Sequence, residues 1–352
     1  MTVVVKLGST LVATSDGRVR RRLLAARAGE IAQLAASGER FCIVSSGAIA
    51  LGLPRIARAR GGRTTTPLLQ AASAVGQPLL HRAWAAALAG HGLEAAQVLL
   101  SASDLADRGS YLNMRNALDA LLRLGVVPVA NENDTTATDE ITFGDNDALA
   151  AQVALLTGAR LLVLLTEVDG VYSTDPAHPG AELLAEGADA ERAAVGAVGV
   201  LGRGGMQSKI AAARLAAAVG IPTTIASGRG ERVLPAILAG EQRGTKFPAA
   251  RASRERAFKL WLRYAKPAAG QLVVDEGARR ALVTGGASLL AVGVERCEGT
   301  FVPGDAVEIA GPDGEPIGKG IVGASAAELR TRGRGLEAVH RDRLVLYDTA
   351  TA

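Results

Sequence analysis

Between residues 1 and about 245, short apolar runs alternate with stretches of helical periodicity, and that alternation restricts the fold more than any other feature. Residues 3–7, 41–45, 95–100, 126–130, 160–165 and 223–226 read as strands. Residues 20–36, 71–89, 111–124, 147–156 and 206–219 read as the helices between them. Several strands are apolar throughout and so need cover on both faces, and strands separated by helices return parallel to one another. The expectation is an α/β fold, a three-layer αβα sandwich around a mainly parallel sheet. Ligands of such sheets bind beyond the carboxyl ends of the strands.

Polar residues gather at those ends. Lys6-Leu7-Gly8-Ser9 closes the first strand and Ser45-Ser46-Gly47-Ala48 the second, while Asn131-Glu132-Asn133-Asp134 and Thr166-Glu167 follow two later ones. Only six of the 39 basic residues are lysines, yet Lys6 and Lys209 both stand beside glycines, the latter in Gly204-Gly205-Met206-Gln207-Ser208-Lys209. A compact ammonium on a flexible stem suits a phosphate approached by backbone better than a rigid guanidinium fork does. Glycines, two lysines, small hydroxyls and acids suit phosphoryl transfer, in which the protein positions reactants and stabilises charge. Ser46-Gly47-Ala48 offers N–H groups and a hydroxyl to an anion, and equally makes a tight strand-to-helix turn.

The block 131–147, NENDTTATDEITFGDND, holds the carboxylates of Glu132, Asp134, Asp139, Glu140, Asp145 and Asp147. Such a set can bind Mg²⁺ through water, orient lysines or receive a substrate ammonium, and one of Asp145 and Asp147 can serve as a helix cap. The spacing does not fit an EF-hand. No Gly-x-x-x-x-Gly-Lys-Ser/Thr loop occurs, and the Gly-x-Gly-x-x-Gly at 318–323 lies outside any βαβ unit and reads as a turn. Four histidines and two cysteines, Cys42 and Cys297, indicate neither a His-based triad nor a zinc site nor a disulfide framework. No apolar run reaches about 18 residues and residues 3–5 lack signal-peptide anatomy, so a cytoplasmic, non-membrane protein is expected.

At 352 residues the chain exceeds one comfortable core. Toward its end, residues 271–274, 306–309 and 344–347 read as short strands and 278–284 as a short helix, with turn signals at Gly311-Pro312-Asp313-Gly314 and at 318–320. The expected division is a main domain at 1–250, a basic linker at 251–267 and a small β-rich domain at 268–352. Residues 251–266 carry 6 basic and 1 acidic side chains, whereas 268–352 carry 9 and 12. The net charge of +4 is thus concentrated in the linker, and the acidic balance of the last domain argues against RNA binding as a main function.

Further motifs fall in a fixed order: Val44-Ser45-Ser46-Gly47-Ala48-Ile49-Ala50, Ala74-Val75-Gly76-Gln77, Tyr111-Leu112-Asn113-Met114-Arg115-Asn116, Val127-Pro128-Val129-Ala130, Phe143-Gly144-Asp145-Asn146-Asp147 and Leu164-Leu165-Thr166. With the lysine motifs, they make the chain resemble the glutamate 5-kinases of the amino acid kinase family across nearly its whole length. Residues 268–352, with Val273-Val274-Asp275-Glu276-Gly277-Ala278, resemble the PUA domain that bacterial members append.

The resemblance implies transfer of the γ-phosphoryl of MgATP to the side-chain carboxylate of L-glutamate, the first step of proline biosynthesis, with feedback inhibition by proline. It also implies a homo-oligomer, dimer or tetramer. By motif position, Lys6 and Lys209 would neutralise the transferring phosphoryl, Gly8 would donate a backbone N–H and Asp147 would hold the lysines apart and in place. Ser46, Asp134 and Asn146, aided by Asn131 and Asp145, would bind glutamate. Thr166, Glu167, Arg203, Gly204, Gly205, Met206, Gln207, Ser208 and Lys209 would line the ATP pocket with Lys6, and no residue is assigned as a protein ligand of a metal. Glu167 stands where aspartate is common in the family, and Arg203 where threonine or serine is, which bears on the nucleotide contacts. The alternatives are a kinase of the same fold acting on N-acetylglutamate, aspartate or UMP, and an RNA-binding protein, since PUA modules elsewhere bind RNA.

Overall fold

The computed structural model describes residues 1–56, 65–136, 146–196, 205–249, 257–264, 266–331 and 335–347. Asp145, Arg203 and Gly204 lie outside the described residues. The chain divides into two compact units, residues 1–253 and 254–352. Among the described residues no helix is long and apolar enough to cross a membrane.

The first unit runs β1 (Thr2–Leu7), α1 (Ser9–Val12), α2 (Arg21–Ala36), β2 (Arg40–Ser45), α3 (Ala48–Ile56), α4 (Thr66–Ala89), β3 (Ala95–Leu100), α5 (Ala102–Ala106), α6 (Arg108–Arg123) and β4 (Val127–Glu132). It continues through α7 (Asn146–Thr157), β5 (Leu161–Thr166), the hairpin β6 (Val171–Tyr172) and β7 (Leu183–Leu184), α8 (Gly187–Gly196), α9 (Gly205–Ala218), β8 (Thr223–Ser227), α10 (Val233–Leu238) and β9 (Thr245–Phe247). Seven strands form one sheet in the order β3-β4-β2-β1-β5-β8-β9. All neighbours are parallel except β8 and β9. Val3, Val5 and Leu7 share a core with Leu24 and Ile31 of α2, Leu80 and Trp84 of α4 and Leu234 of α10. Side chains alternate along a strand, so Lys6 faces the other layer, where α7 packs on β1.

Two differences from the sequence pattern matter for function. Asn131 and Glu132, expected in a loop, are the last residues of β4, because Leu99 and Leu100 of β3 continue the ladder alongside them. Helix α3, not expected as a separate element, packs on α4 through two glycines. A Cβ at Gly52 would lie 1.8 Å from the Ala72 carbonyl oxygen, and one at Gly76 would lie 1.8 Å from that of Ala48. The two helices touch backbone to backbone, which draws the Ser46-Gly47-Ala48 turn against α4.

The second unit contains α11 (Ala257–Tyr264), β10 (Ala268–Val274), α12 (Glu276–Gly285), β11 (Leu289–Leu290), β12 (Val294–Gly299), β13 (Ala306–Ala310), β14 (Pro316–Val322), α13 (Ala326–Arg330) and β15 (Glu337–Leu346). Its six strands are ordered β11-β15-β14-β13-β10-β12 around a core that includes Leu272, Val307, Ile309 and Val339. The stretch expected as a basic linker, 251–267, is in its described part mostly helix α11. Trp261 and Leu262 of α11 are buried, and the helix packs on β14 and β15, an apolar stripe that the high charge of the stretch conceals. The turn expected at 318–320 is also corrected, since it lies within β14. Glycines are needed there because a Cβ at Gly318 would come 2.5 Å from the Val345 carbonyl oxygen and one at Gly320 would come 2.4 Å from Val339. Lys319 between them is buried and donates to the carbonyl oxygens of Lys266, at 2.9 Å, and Arg263, at 3.4 Å, at the end of α11.

Gly76→Ala is expected to destabilise the protein by about 3 kcal/mol, since neither helix backbone can move away without opening the core. Gly90→Ala, at the end of α4 with no contact nearer than 3.5 Å, should stay within about 0.5 kcal/mol of wild type. Urea unfolding of the two variants checks the contrast.

Candidate active site

Strand β1 delivers Lys6, helix α7 delivers Asp147 and helix α9 delivers Lys209 to one point. Lys6 Nζ lies 2.6 Å from Asp147 Oδ1, and Lys209 Nζ lies 3.0 Å from Asp147 Oδ2. Ser208 Oγ donates to the same Oδ2 at 2.9 Å, and Lys209 Nζ also donates to the Gly205 carbonyl oxygen at 2.8 Å. All three charged residues are buried. Asp147 stands in the first turn of α7, where the open N–H groups of a helix favour a carboxylate. Two buried ammonium groups that converge on one carboxylate at a sheet edge suit an incoming phosphate group, which would offset part of the cost of burying them.

The glycines beside this cluster support that reading. Gly8 has φ −68°, open to any residue, and a Cβ there would meet nothing nearer than 4.0 Å. At Gly205 an added Cβ would meet no heavy atom of the described residues within 4 Å. Neither packing nor conformation requires glycine at these positions, whereas close approach of a ligand to the backbone does. Gly47 differs: its φ of +114° and the Val12 side chain 3.0 Å from an added Cβ make it a structural glycine.

On the other side of Asp147 lies an amide cluster. Asn146 Nδ2 donates to Ser46 Oγ and to Asn131 Oδ1, both at 2.8 Å, and Asn131 Nδ2 donates to Gln77 Oε1 at 2.8 Å. The Ser46 N–H donates to the Leu7 carbonyl oxygen at 3.1 Å, which ties the end of β2 to that of β1. Asp134 accepts from Ser73 Oγ at 2.6 Å. Burial pushes the Asp134 carboxyl above its usual range, and the Ser73 hydroxyl partly opposes the shift. Ser73, Gln77, Glu132 and Asp134 line a cavity of about 270 Å³.

A second cavity of about 340 Å³ is lined by Thr166, Glu167, Gly205, Met206 and Lys209. Gln207, expected in that wall, is exposed and is not among its lining residues, since the turn of α9 that buries Lys209 carries it toward solvent. Glu167 pairs with Arg229 in the loop after β8. The sequence reading missed Thr10 and Tyr172 in this cavity and Ser73 and Gln77 in the other. Of these, Thr10 carried a signal by directly following Lys6-Leu7-Gly8-Ser9, and Gln77 through its place in the Ala74-Val75-Gly76-Gln77 motif.

Lys6→Arg and Lys209→Arg should each lower the turnover of phosphoryl transfer by on the order of 10²-fold, because a fork cannot reproduce a point charge aimed at the transferring group. Gly8→Ala should fold normally and still lose turnover. Steady-state kinetics beside thermal melts test all three, and full activity in both arginine variants would remove the lysines from the chemistry.

Residues 1–227 match the amino acid kinase family and residues 270–342 match the PUA domain. The glutamate 5-kinase of Sphingopyxis alaskensis is 44% identical over 363 residues, covering 98% of this chain and 97% of the relative. That of Thioalkalivibrio sulfidiphilus is 46% identical over 372 residues, covering 97% and 96%. Among solved structures, a UMP kinase from Bacillus anthracis superposes with a TM-score of 0.51 at 17% identity, covering 70% of this chain and 96% of that one. An isopentenyl phosphate kinase superposes with a TM-score of 0.50 at 23% identity, covering 70% and 100%. These two likenesses speak for the fold alone. The full-length relatives and the family match, which spans every described residue of the site, carry the assignment: the chain belongs to the amino acid kinase family, in its glutamate 5-kinase branch.

Proposed function

We propose that this protein transfers the γ-phosphoryl group of MgATP to the side-chain carboxylate of L-glutamate, giving L-glutamyl 5-phosphate and ADP and opening proline biosynthesis. The observation that carries this reading is the adjacency of Asn146 and Asp147. The first is bonded to Ser46 and Asn131, and the second is clamped between Lys6 and Lys209. Lys209 in turn lines the 340 Å³ cavity, the proposed seat of the nucleotide. A group held by the amides is thereby presented to a phosphoryl held by the lysines.

A carboxylate is already a nucleophile at neutral pH, so the acceptor needs no general base. Its oxygen bonds to phosphorus as the bond to the bridging oxygen breaks, and the electron pair leaves on ADP. Lys6, Lys209 and the Gly8 N–H stabilise the charge on the transferred group, while Asp147 holds the two ammonium groups apart and in place. Asp134 is the proposed acceptor for the ammonium of glutamate. Mg²⁺ enters as part of the nucleotide substrate, where it neutralises phosphate charge. Among the described residues no group of three or more metal-ligating side chains converges. Inhibition by proline, assembly as a dimer or tetramer and a cytoplasmic setting belong to the same proposal, supported by family membership. So does the division into a kinase domain at 1–250 and a PUA-like domain at 268–352, the latter without RNA binding as its main role.

Hydroxylamine trapping of the acyl phosphate should give a strong signal with L-glutamate and little with N-acetylglutamate or aspartate, and a reversed preference would overturn the substrate assignment. A carboxyl whose folded pKa is raised holds its proton more tightly than in the unfolded chain. Stability therefore falls as pH rises from the unfolded value through the folded one, and the ionised Asp134 is a cost at neutral pH. Asp134→Asn should accordingly melt no lower than wild type without ligand, lose the thermal shift on adding glutamate, and raise the glutamate KM while the ATP KM stays nearly constant.

A further inference from the structure

The Ala74-Val75-Gly76-Gln77 motif is explained at Gly76 by the close packing of α3 on α4, which leaves Gln77 without a role. Gln77 is buried, and so is Ser73 one turn before it on the same face of α4. Each meets one residue of the proposed glutamate site: Ser73 Oγ donates to Asp134 Oδ2, and Gln77 Oε1 accepts from Asn131 Nδ2.

The second contact sets a direction. An amide whose Nδ2 is engaged by Gln77 must turn its Oδ1 the other way, and Asn131 Oδ1 there accepts from Asn146 Nδ2. Asn146 Nδ2 also donates to Ser46 Oγ, so both of its hydrogens are used and its Oδ1 faces away from both partners. Among the described residues, Asn146 Oδ1 is buried with no hydrogen-bond partner. A buried acceptor left open is costly, and a cationic donor would satisfy it. Asp134 is an acceptor as well, held in its rotamer by a hydroxyl that can only donate to it.

We propose that Ser73 and Gln77 are positioning residues which make the site selective for a substrate bearing an ammonium group. Gln77 acts through Asn131 to turn the acceptor face of Asn146 toward the substrate, and Ser73 aims the carboxylate of Asp134. This rests on the glutamate reading given above. Neither residue touches the transferring phosphoryl, so both should act on recognition and leave the chemical step alone.

The test compares L-glutamate with glutarate, the same dicarboxylate without its ammonium, used as a competitive inhibitor of the full-length enzyme. In Gln77→Met and Ser73→Ala the glutamate KM should rise about tenfold or more, as for a lost charge-assisted hydrogen bond. The glutarate inhibition constant, ATP KM and kcat should each stay within about threefold. Gln77→Glu and Ser73→Thr, which keep the acceptor and the hydroxyl, should recover most of the glutamate KM. Melting curves show whether each variant is folded, and an unfolded Gln77→Met leaves the decision to Ser73→Ala and to Gln77→Glu against Gln77→Leu. Equal weakening of glutamate and glutarate, or no change in either, overturns the positioning role. A wild-type enzyme that forms no glutamyl phosphate overturns the functional reading instead, and the proposal with it.

Discussion

The carboxylate of Asp147 holds two ammonium groups that would repel each other if it were absent. Lys6 at the end of β1 and Lys209 in the first turns of α9 lie more than two hundred residues apart in the chain, and each contacts a different oxygen of the same group. At such separations in a buried site the attraction between each pair is large, and so is the cost of desolvating three charges. In the proposed reaction that cost is offset, because both ammonium groups would face the transferring phosphoryl. The layers of the first unit follow from this requirement, since α7 and α9 must pack side by side on one face of the sheet to bring Asp147 and Lys209 to the end of β1.

The opposite face supplies the second half of the site by close contact. Because Gly52 and Gly76 carry no side chains, α3 and α4 approach until backbone meets backbone. That places the turn after β2 beside the helix face bearing Ser73 and Gln77. The ladder between β3 and β4, extended to Glu132, brings Asn131 to the same place from the sheet. In the proposed function, recognition of the acceptor depends on a helix pair and two strand ends, and phosphoryl transfer on the lysines and their carboxylate. Asn146 and Asp147, adjacent at the start of α7, join the two.

In the second unit a buried charge has a structural use. Lys319 sits between two glycines, as Lys6 and Lys209 sit beside theirs, yet its ammonium ends on the carbonyl oxygens of Arg263 and Lys266 at the end of α11. Burial holds its pKa below the ordinary lysine value, and Glu308 opposes that shift. The same local sequence character therefore serves the proposed ligand binding in one unit and helix capping in the other.

The local pattern of the sequence was enough to locate six of the seven strands of the main sheet and helices α2, α4, α6, α7 and α9, because the apolar runs of β1, β2 and β5 and the periodicity of the helices are properties of a few adjacent residues. It also located Lys6, Gly8, Ser46, Asp134 and Lys209 at strand ends and helix starts, since small and charged residues interrupt those runs visibly. What Lys319, Ser73, Gln77 and the charged stretch around α11 do was decided only by the tertiary structure. Gln77 meets Asn131 across 54 residues of chain and Ser73 meets Asp134 across 61, so their partners depend on the sheet order β3-β4-β2-β1 and on how closely α4 lies against it. Periodicity reports which side of an element is buried and not against what, and a hydrogen bond needs its partner within about 3 Å. The sequence therefore carried the chemistry proposed for the lysines, while the orientation of the amides proposed to recognise the acceptor emerged from packing.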